Sequence, residues 1–167
     1  MSIRSLLLVP IVVAAVAAAP APKDAFNSGV WKGEANYDEE GKFRDCTMTA
    51  QSGNEVLLGF VISKDFDWGL VIADETREMP VGMTKAVLIL IDSRAPIAAV
   101  AKVVDAHGIL IPLDNSDAAI EAMRHGKVLK VVTDGAEFSF KMTGTNEAIA
   151  ALAACVTTHQ GTERVEL

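Results

Sequence analysis

Two cysteines, Cys46 and Cys155, are the residues of this 167-residue chain that could do redox chemistry. They stand far apart, and neither belongs to a Cys-x-x-Cys segment, so a catalytic dithiol is not indicated. In an oxidising compartment, two thiols form a disulfide by default. Two buried free thiols and an intermolecular bridge are the alternatives. A bridge over this separation would remove unfolded-state entropy worth about 4–5 kcal/mol in the loop-closure model.

The three histidines fall in a turn (His107), at a predicted helix end (His125) and in a polar tail (His159). His125 suits a helix C-terminus, where a cation complements the helix dipole. The chain has no Gly-x-Ser-x-Gly elbow, no phosphate-binding glycine loop and no His-Glu-x-x-His motif. The sequence therefore predicts no catalytic residue, no metal site and no cofactor.

Acidic residues occur in several adjacent pairs and in one segment that resembles a calcium-binding loop. Residues 65–69 alternate acids with other residues, but an EF-hand loop would need glycine at Leu70 and an acid at Thr76. The pair Glu39 and Glu40 could be imagined as an acid and a base, yet adjacent acids in turns are usually solvated. We interpret these carboxylates as surface groups.

Aromatic residues are few, and Trp31, Tyr37, Phe43 and Trp68 all lie in the first half of the chain. Trp31 and Trp68 are predicted to pack in the core of a sheet. If they are exposed instead, Trp31, Tyr37 and Trp68 would mark a surface that contacts a protein or a glycan.

The N-terminus has the pattern of a secretory signal peptide. Arg4 precedes an apolar run over residues 6–19, which is shorter than the roughly 20 residues that span a bilayer and ends in small residues. We predict a signal peptide over residues 1–18, cleaved after Ala17 or Ala18. No cysteine follows the cut, so a lipid anchor is not indicated. The mature protein is expected to be soluble and periplasmic or secreted.

The remaining chain has the length of one domain. We expect a flexible leader over residues 19–29, a single β-rich domain over residues 30–158 and a polar tail over residues 159–167. The net charge of −7 becomes one unit more negative when Arg4 is removed. This balance disfavours nucleic acid and anionic membrane surfaces as partners.

Apolar segments alternate with turn signals along most of the chain, which indicates strands. Gly41 is available for a positive φ in the first turn. Short strands at this spacing predict an α+β protein built on a mainly antiparallel β-sandwich or barrel. The predicted strands cover residues 30–37, 43–50, 56–63, 68–73, 85–91, 98–104, 109–113, 127–133 and 137–142.

Two helices are predicted in the C-terminal half. The first covers residues 116–125 and is terminated by Gly126, and the second begins at Thr145 and runs through Val156. A disulfide from Cys155 would therefore staple the last helix to an early strand.

Three segments carry a family resemblance: 108–113, 122–131 and 138–145, followed by an alanine-rich helix that contains Cys155. In this layout the chain resembles small exported proteins of alphaproteobacteria and is similar to the invasion-associated locus B family. The resemblance implies a signal peptide, a β-rich body and an envelope- or surface-associated role in host interaction. It implies no catalytic residues.

Three functions remain open. The first is a non-enzymatic, envelope-associated protein that binds another protein or an envelope component through its sheet, without stable membrane insertion. The second is a periplasmic inhibitor of a secreted hydrolase, with the acidic loop 38–40 facing a basic cleft. The third is an enzyme with a dispersed site.

Overall fold

The computed structural model describes residues 24–51 and 56–161. The predicted signal peptide, its cleavage at Ala17 or Ala18 and the tail beyond residue 161 lie outside these residues and stay predictions. Within the two described ranges, no helix has both the length and the hydropathy needed to cross a membrane.

Ten strands and two helices make up the regular structure of the described chain. All ten strands join one antiparallel sheet in the order β1-β2-β3-β4-β5-β8-β7-β6-β9-β10. The predicted α+β class, the antiparallel sheet and the two helices in the C-terminal half are confirmed. The elements are β1 (Ala25–Ser28), β2 (Trp31–Tyr37), β3 (Phe43–Gln51), β4 (Val56–Ser63), β5 (Trp68–Asp74), β6 (Thr84–Ile91), β7 (Ile97–Val103), β8 (Gly108–Pro112), α1 (Asp117–His125), β9 (Val128–Thr133), β10 (Ala136–Lys141) and α2 (Thr145–His159).

One face of the sheet is apolar from strand to strand and forms the core. Met48 of β3 pairs with Phe60 of β4, Phe60 pairs with Leu70 of β5, and Leu70 pairs with Ile111 of β8. All four side chains are fully buried. Since residues opposite each other in register lie on the same face, this row is one continuous inward layer.

The sheet folds over so that strands distant in its order face each other. The indole Nε1 of Trp31 in β2 donates a hydrogen bond of 3.0 Å to the carbonyl oxygen of Thr143, just beyond β10. Helix α2 packs against β1, β2, β3 and β4 and against α1. The result is a sandwich-like sheet with its apolar side inside, as in other proteins whose sheets pack face to face.

Strand β1 corrects the expectation of a flexible leader over residues 19–29 for its described part, whereas residues 19–23 lie outside the described residues. Residues 25–28 form a hairpin with β2, in which Ser28 pairs with Trp31 and Gly29 adopts a φ of 61° in the turn. Glycine takes that backbone conformation without steric cost. A strand of four residues is too short for its alternation to be recognised, so the pairing with β2 is needed to define it.

The predicted hairpin across residues 38–42 is confirmed, with Gly41 at a φ of 77°. Helix α1 begins at the N-cap Ser116, whose hydroxyl accepts a hydrogen bond from the backbone N–H of Ala119. Gly126 ends the helix at a φ of −63°, outside the left-handed region. A Cβ there would lie 2.5 Å from Ile91 Cγ2, so this glycine is needed for space.

Helix α2 extends to His159, whereas the sequence predicts a polar tail from that residue onward. The His159 Nδ1 atom lies 3.0 Å from the Tyr37 hydroxyl, and its ring lies against Phe43 at a centroid distance of 5.9 Å. These aromatic contacts hold the last turn of the helix against the sheet, which explains the longer element.

Cys46 and Cys155 form the predicted disulfide, which joins β3 to α2. Both residues are buried. The bond therefore fastens the last helix to β3, the third strand from one edge of the sheet.

Candidate functional site

The two tryptophans of the predicted contact surface are core residues. Trp31 and Trp68 are 1% and 6% exposed, and the ring of Phe60 lies between them at centroid distances of 5.5 and 6.4 Å. The indole N–H of Trp68 donates to the carbonyl oxygen of Asp114 at 3.0 Å. The indoles therefore do not present a surface to a partner, and their predicted packing in the core is confirmed.

Tyr37, the third residue of that surface, is half-buried at the other end of β2. Its ring meets Phe43 edge to face at a centroid distance of 6.0 Å. Trp31 and Tyr37 share the inward face because they are six residues apart in one strand, and side chains alternate between faces. That periodicity turns both side chains away from solvent.

Each histidine has a local structural contact. The His107 Nδ1 atom lies 2.8 Å from the carbonyl oxygen of Arg77, and the His125 Nε2 atom lies 3.1 Å from a Glu121 carboxylate oxygen. His159 packs with the aromatic residues at the end of α2. Across residues 24–51 and 56–161, no three His, Cys, Asp or Glu side chains are grouped as metal ligands.

The acidic loop 38–40 uses two of its carboxylates within the turn. The Asp38 carboxylate accepts hydrogen bonds from the backbone N–H groups of Glu40 and Lys42, at 3.0 and 2.8 Å. Glu40 forms an ion pair of 2.8 Å with the Lys42 ammonium. These carboxylates stabilise the hairpin, and nothing in the loop geometry favours an inhibitory contact.

Among the described residues, two carboxyl groups have a lowered pKa, and both have structural partners. The Thr76 hydroxyl and backbone N–H, with the Arg77 guanidinium, hold the pKa of Asp74 below its usual value. Asp92 has its pKa lowered by hydrogen bonds from the backbone N–H groups of Val128 and Lys127. Both groups are held as anions that fix turns.

The outward side of β6, β7 and β9 carries a surface that sequence reasoning missed. In register, Leu88 lies between Ala98 of β7 and Val132 of β9, and Ala86 lies opposite Val100. Leu88 is 46% exposed and Val100 is 60% exposed. We call these five residues, Ala86, Leu88, Ala98, Val100 and Val132, the outer apolar face.

The outer apolar face is bordered by charged side chains of both signs, because Glu137 lies opposite Val132 on the same side as Lys102 and Lys130. Lys102 follows Val100 on the same side of β7, and Lys130 precedes Val132 on the same side of β9. Lys130 pairs with Glu137 of the neighbouring β10 at 2.7 Å. The sequences of β6, β7 and β9 contain no acidic residue, although the chain carries a net charge of −7.

The sequence contains a partial indication of the outer apolar face. Residues 86–91 are apolar without a break, a pattern typical of a strand that is buried on both faces. The pattern identifies a strand, but it does not show that one side has no covering element. The exposure of Leu88 and Val100 in the folded structure is what shows that the outward side of β6 and β7 is open.

The chain matches no protein-family model and no curated protein. Among solved structures, the crystal structure of invasion associated protein B from Bartonella henselae matches with a TM-score of 0.56 and 22% sequence identity. The match covers 80% of this chain and 97% of that chain. The resemblance seen in the sequence is thus confirmed at the level of the fold, which this chain shares with invasion associated protein B.

Proposed function

We propose that the protein is a non-enzymatic, exported binding protein of the cell envelope, and that it binds a protein partner through the outer apolar face. The observation that carries this proposal is the exposure of Leu88 and Val100, at 46% and 60%, on three adjacent strands. Contiguous apolar side chains exposed on a soluble protein mark interaction sites.

The outer apolar face has the arrangement of a protein interface. Its centre is apolar, and Lys102 and Lys130 stand at its border, which matches the apolar core and polar rim of typical interfaces. Its strands pair with neighbours on both sides, so little ordering is needed on binding. The expected partner presents apolar side chains and a carboxylate that meets Lys102, because Lys130 is already paired with Glu137.

Two further observations support action outside the cytoplasm. The disulfide between Cys46 and Cys155 is typical of oxidising compartments. The shared fold with invasion associated protein B is in keeping with an envelope setting. The alternatives of a hydrolase inhibitor and of an enzyme with a dispersed site gain no specific observation from the geometry.

The test uses the mature protein, immobilised and exposed to envelope extract, with any captured protein then purified and its dissociation constant measured. Leu88→Asp and Val100→Asp should weaken binding by about tenfold or more, as expected when a buried anchor is lost. The matched control is Val30→Asp, because Val30 is equally apolar and 63% exposed but lies in the β1–β2 turn.

Unchanged affinity in both face variants, or equal loss in Val30→Asp, would contradict the proposal. Capture of a lytic enzyme whose activity falls on binding would replace it with inhibition. A dependence of the affinity on salt that disappears in Lys102→Gln would support the predicted acidic partner.

A further inference from the structure

Strand β10 ends the sheet and leaves one edge unpaired. It pairs with β9, and no other strand of the described chain pairs with it. We propose that this edge binds the same edge of a second copy, antiparallel, around a two-fold axis at Ser139. This inference is independent of the proposed function, because it uses a different part of the sheet.

The hairpin geometry indicates which backbone groups are free. Thr133 and Ala136 flank a two-residue turn. In such a hairpin, the pair that flanks the turn is joined by backbone hydrogen bonds, and so is every second pair of residues along the two strands. The N–H of Met142 donates to the carbonyl oxygen of Lys127 at 2.9 Å, in agreement with this alternation. The intervening residues of β10 therefore direct their N–H and C=O groups to the free edge; they are Glu137, Ser139 and Lys141.

The free edge is complementary to itself. With Ser139 opposite the partner's Ser139, Glu137 lies opposite the partner's Lys141, and Lys141 opposite the partner's Glu137. Two ion pairs form across one two-fold axis, as an isologous contact requires. A parallel arrangement, or a shift by two residues, would lose at least one of these pairs.

Strand β10 has six residues without a proline, and its outward charged side chains are Glu137 and Lys141. Charged side chains on an edge strand normally deter pairing. Here they carry opposite signs, so the antiparallel contact with a second copy turns them into attractive pairs. A cleft of about 460 Å³ opens beside Ser139 and Lys141, between β10 and Trp31 and Leu58. In the proposed contact, Phe138 of the partner subunit would lie beside Phe140 on the inward side.

The axis would be perpendicular to the sheet. Both outer apolar faces would then lie on the same side of one continuous sheet that runs through two copies of β10. Such a dimer would present both outer apolar faces on the same side.

The first experiment measures the mass of the mature, disulfide-bonded protein by sedimentation equilibrium. The wild type should be a dimer, and Ser139→Pro should be a monomer, because proline removes the central N–H donor from the free edge. Ser139→Thr keeps that donor and should remain a dimer. A wild type that stays monomeric over the accessible concentration range would overturn the proposal.

A charge exchange tests the register and does not depend on the proline variant. Glu137→Lys and Lys141→Glu each bring like charges together twice and should weaken the dimer by more than about tenfold. An equimolar mixture of the two single variants should form heterodimers, because every like-charge contact becomes an ion pair. The double variant E137K/K141E should dimerise as the wild type does.

One control separates the edge from the ion pair within the protomer. Glu137→Lys also breaks the pair with Lys130, whereas Lys130→Gln breaks that pair and leaves the edge unchanged. Lys130→Gln should remain a dimer. If the mixture of charge variants stays monomeric while the wild type dimerises, the contact lies elsewhere and the proposed register is wrong.

Discussion

The ring of Phe26 in β1 lies directly over Gly33 in β2. The two residues are opposite each other in register, and a Cβ at position 33 would come within 2.1 Å of the Phe26 Cζ atom. The ring is partly buried against the core, in the groove that β1 forms with α2. The absence of a side chain at Gly33 is therefore what lets the first strand cover this part of the core.

Gly33→Ala should destabilise the protein by about 1–3 kcal/mol, because the added methyl group displaces the Phe26 ring. Urea unfolding followed by tryptophan fluorescence measures this change. Alanine elsewhere in a strand stabilises relative to glycine by restricting the unfolded chain. In the Phe26→Ala background the same substitution should thus become neutral or stabilising, and a penalty that persists there would show that the ring is not its cause.

Because the fold contains a disulfide, we expect its stability to depend strongly on redox state. Cys46 and Cys155 are separated by 109 residues, and opening a loop of that size is expected to cost up to about 4–5 kcal/mol. The double variant C46S/C155S should unfold at a correspondingly lower urea concentration. Reductant should lower the stability of the wild type and leave the variant unchanged; an effect on both would point to a cause other than the bond.

Local patterns in the sequence were enough for the hairpin of β2 and β3, for the start of α2 and for the disulfide. They were insufficient where structure depends on distant partners. The pairing of β5 with β8 and of β6 with β9 joins segments that intervening strands separate in the chain. Such pairing is set by packing of the whole core, which no local window contains.

The outer apolar face could not be predicted from the sequence for a related reason. Core packing of Trp31 and Trp68 is predicted correctly from the sequence, but no local pattern identifies the outer apolar face as exposed. The continuous apolar run that contains Leu88 looked like a strand buried on both faces. Which faces of a sheet are covered depends on where α1 and α2 pack, so this property emerges only from the tertiary structure.

The lowered pKa of Asp74 predicts how the free energy of unfolding responds to acid. Its pKa is lowered in the folded protein, by the Thr76 hydroxyl above all, so the folded state holds the anion more strongly than the unfolded chain. The stabilisation is present above the unfolded pKa of 3.8 and is lost as the pH falls through the lower, folded pKa. Asp74→Asn should therefore be less stable than the wild type at pH 7, by about 1 kcal/mol for a lost charge-assisted hydrogen bond.

Unfolding curves of the wild type and Asp74→Asn between pH 7 and strongly acidic conditions check this prediction. The difference between the two proteins should shrink once Asp74 is protonated. The neighbouring Glu75 is exposed, so Glu75→Gln serves as the matched control and should follow the wild type throughout. A constant difference at all pH values would mean that the Asp74 substitution acts through packing and not through charge.

Leu88 and Ile89 are adjacent in β6 and point to opposite sides of the sheet. Ile89 is fully buried, and Ile89→Ala should cost about 2–5 kcal/mol through lost burial and a residual cavity. Leu88 is 46% exposed, and Leu88→Ala should change the free energy of unfolding by about 0.5 kcal/mol or less. Variants of Ile89 therefore report on folding stability. Variants of Leu88 leave the protein folded, so they can be used to test binding. If Leu88→Ala proves as costly as Ile89→Ala in the isolated protein, the outer apolar face is covered in solution and is not available to a partner.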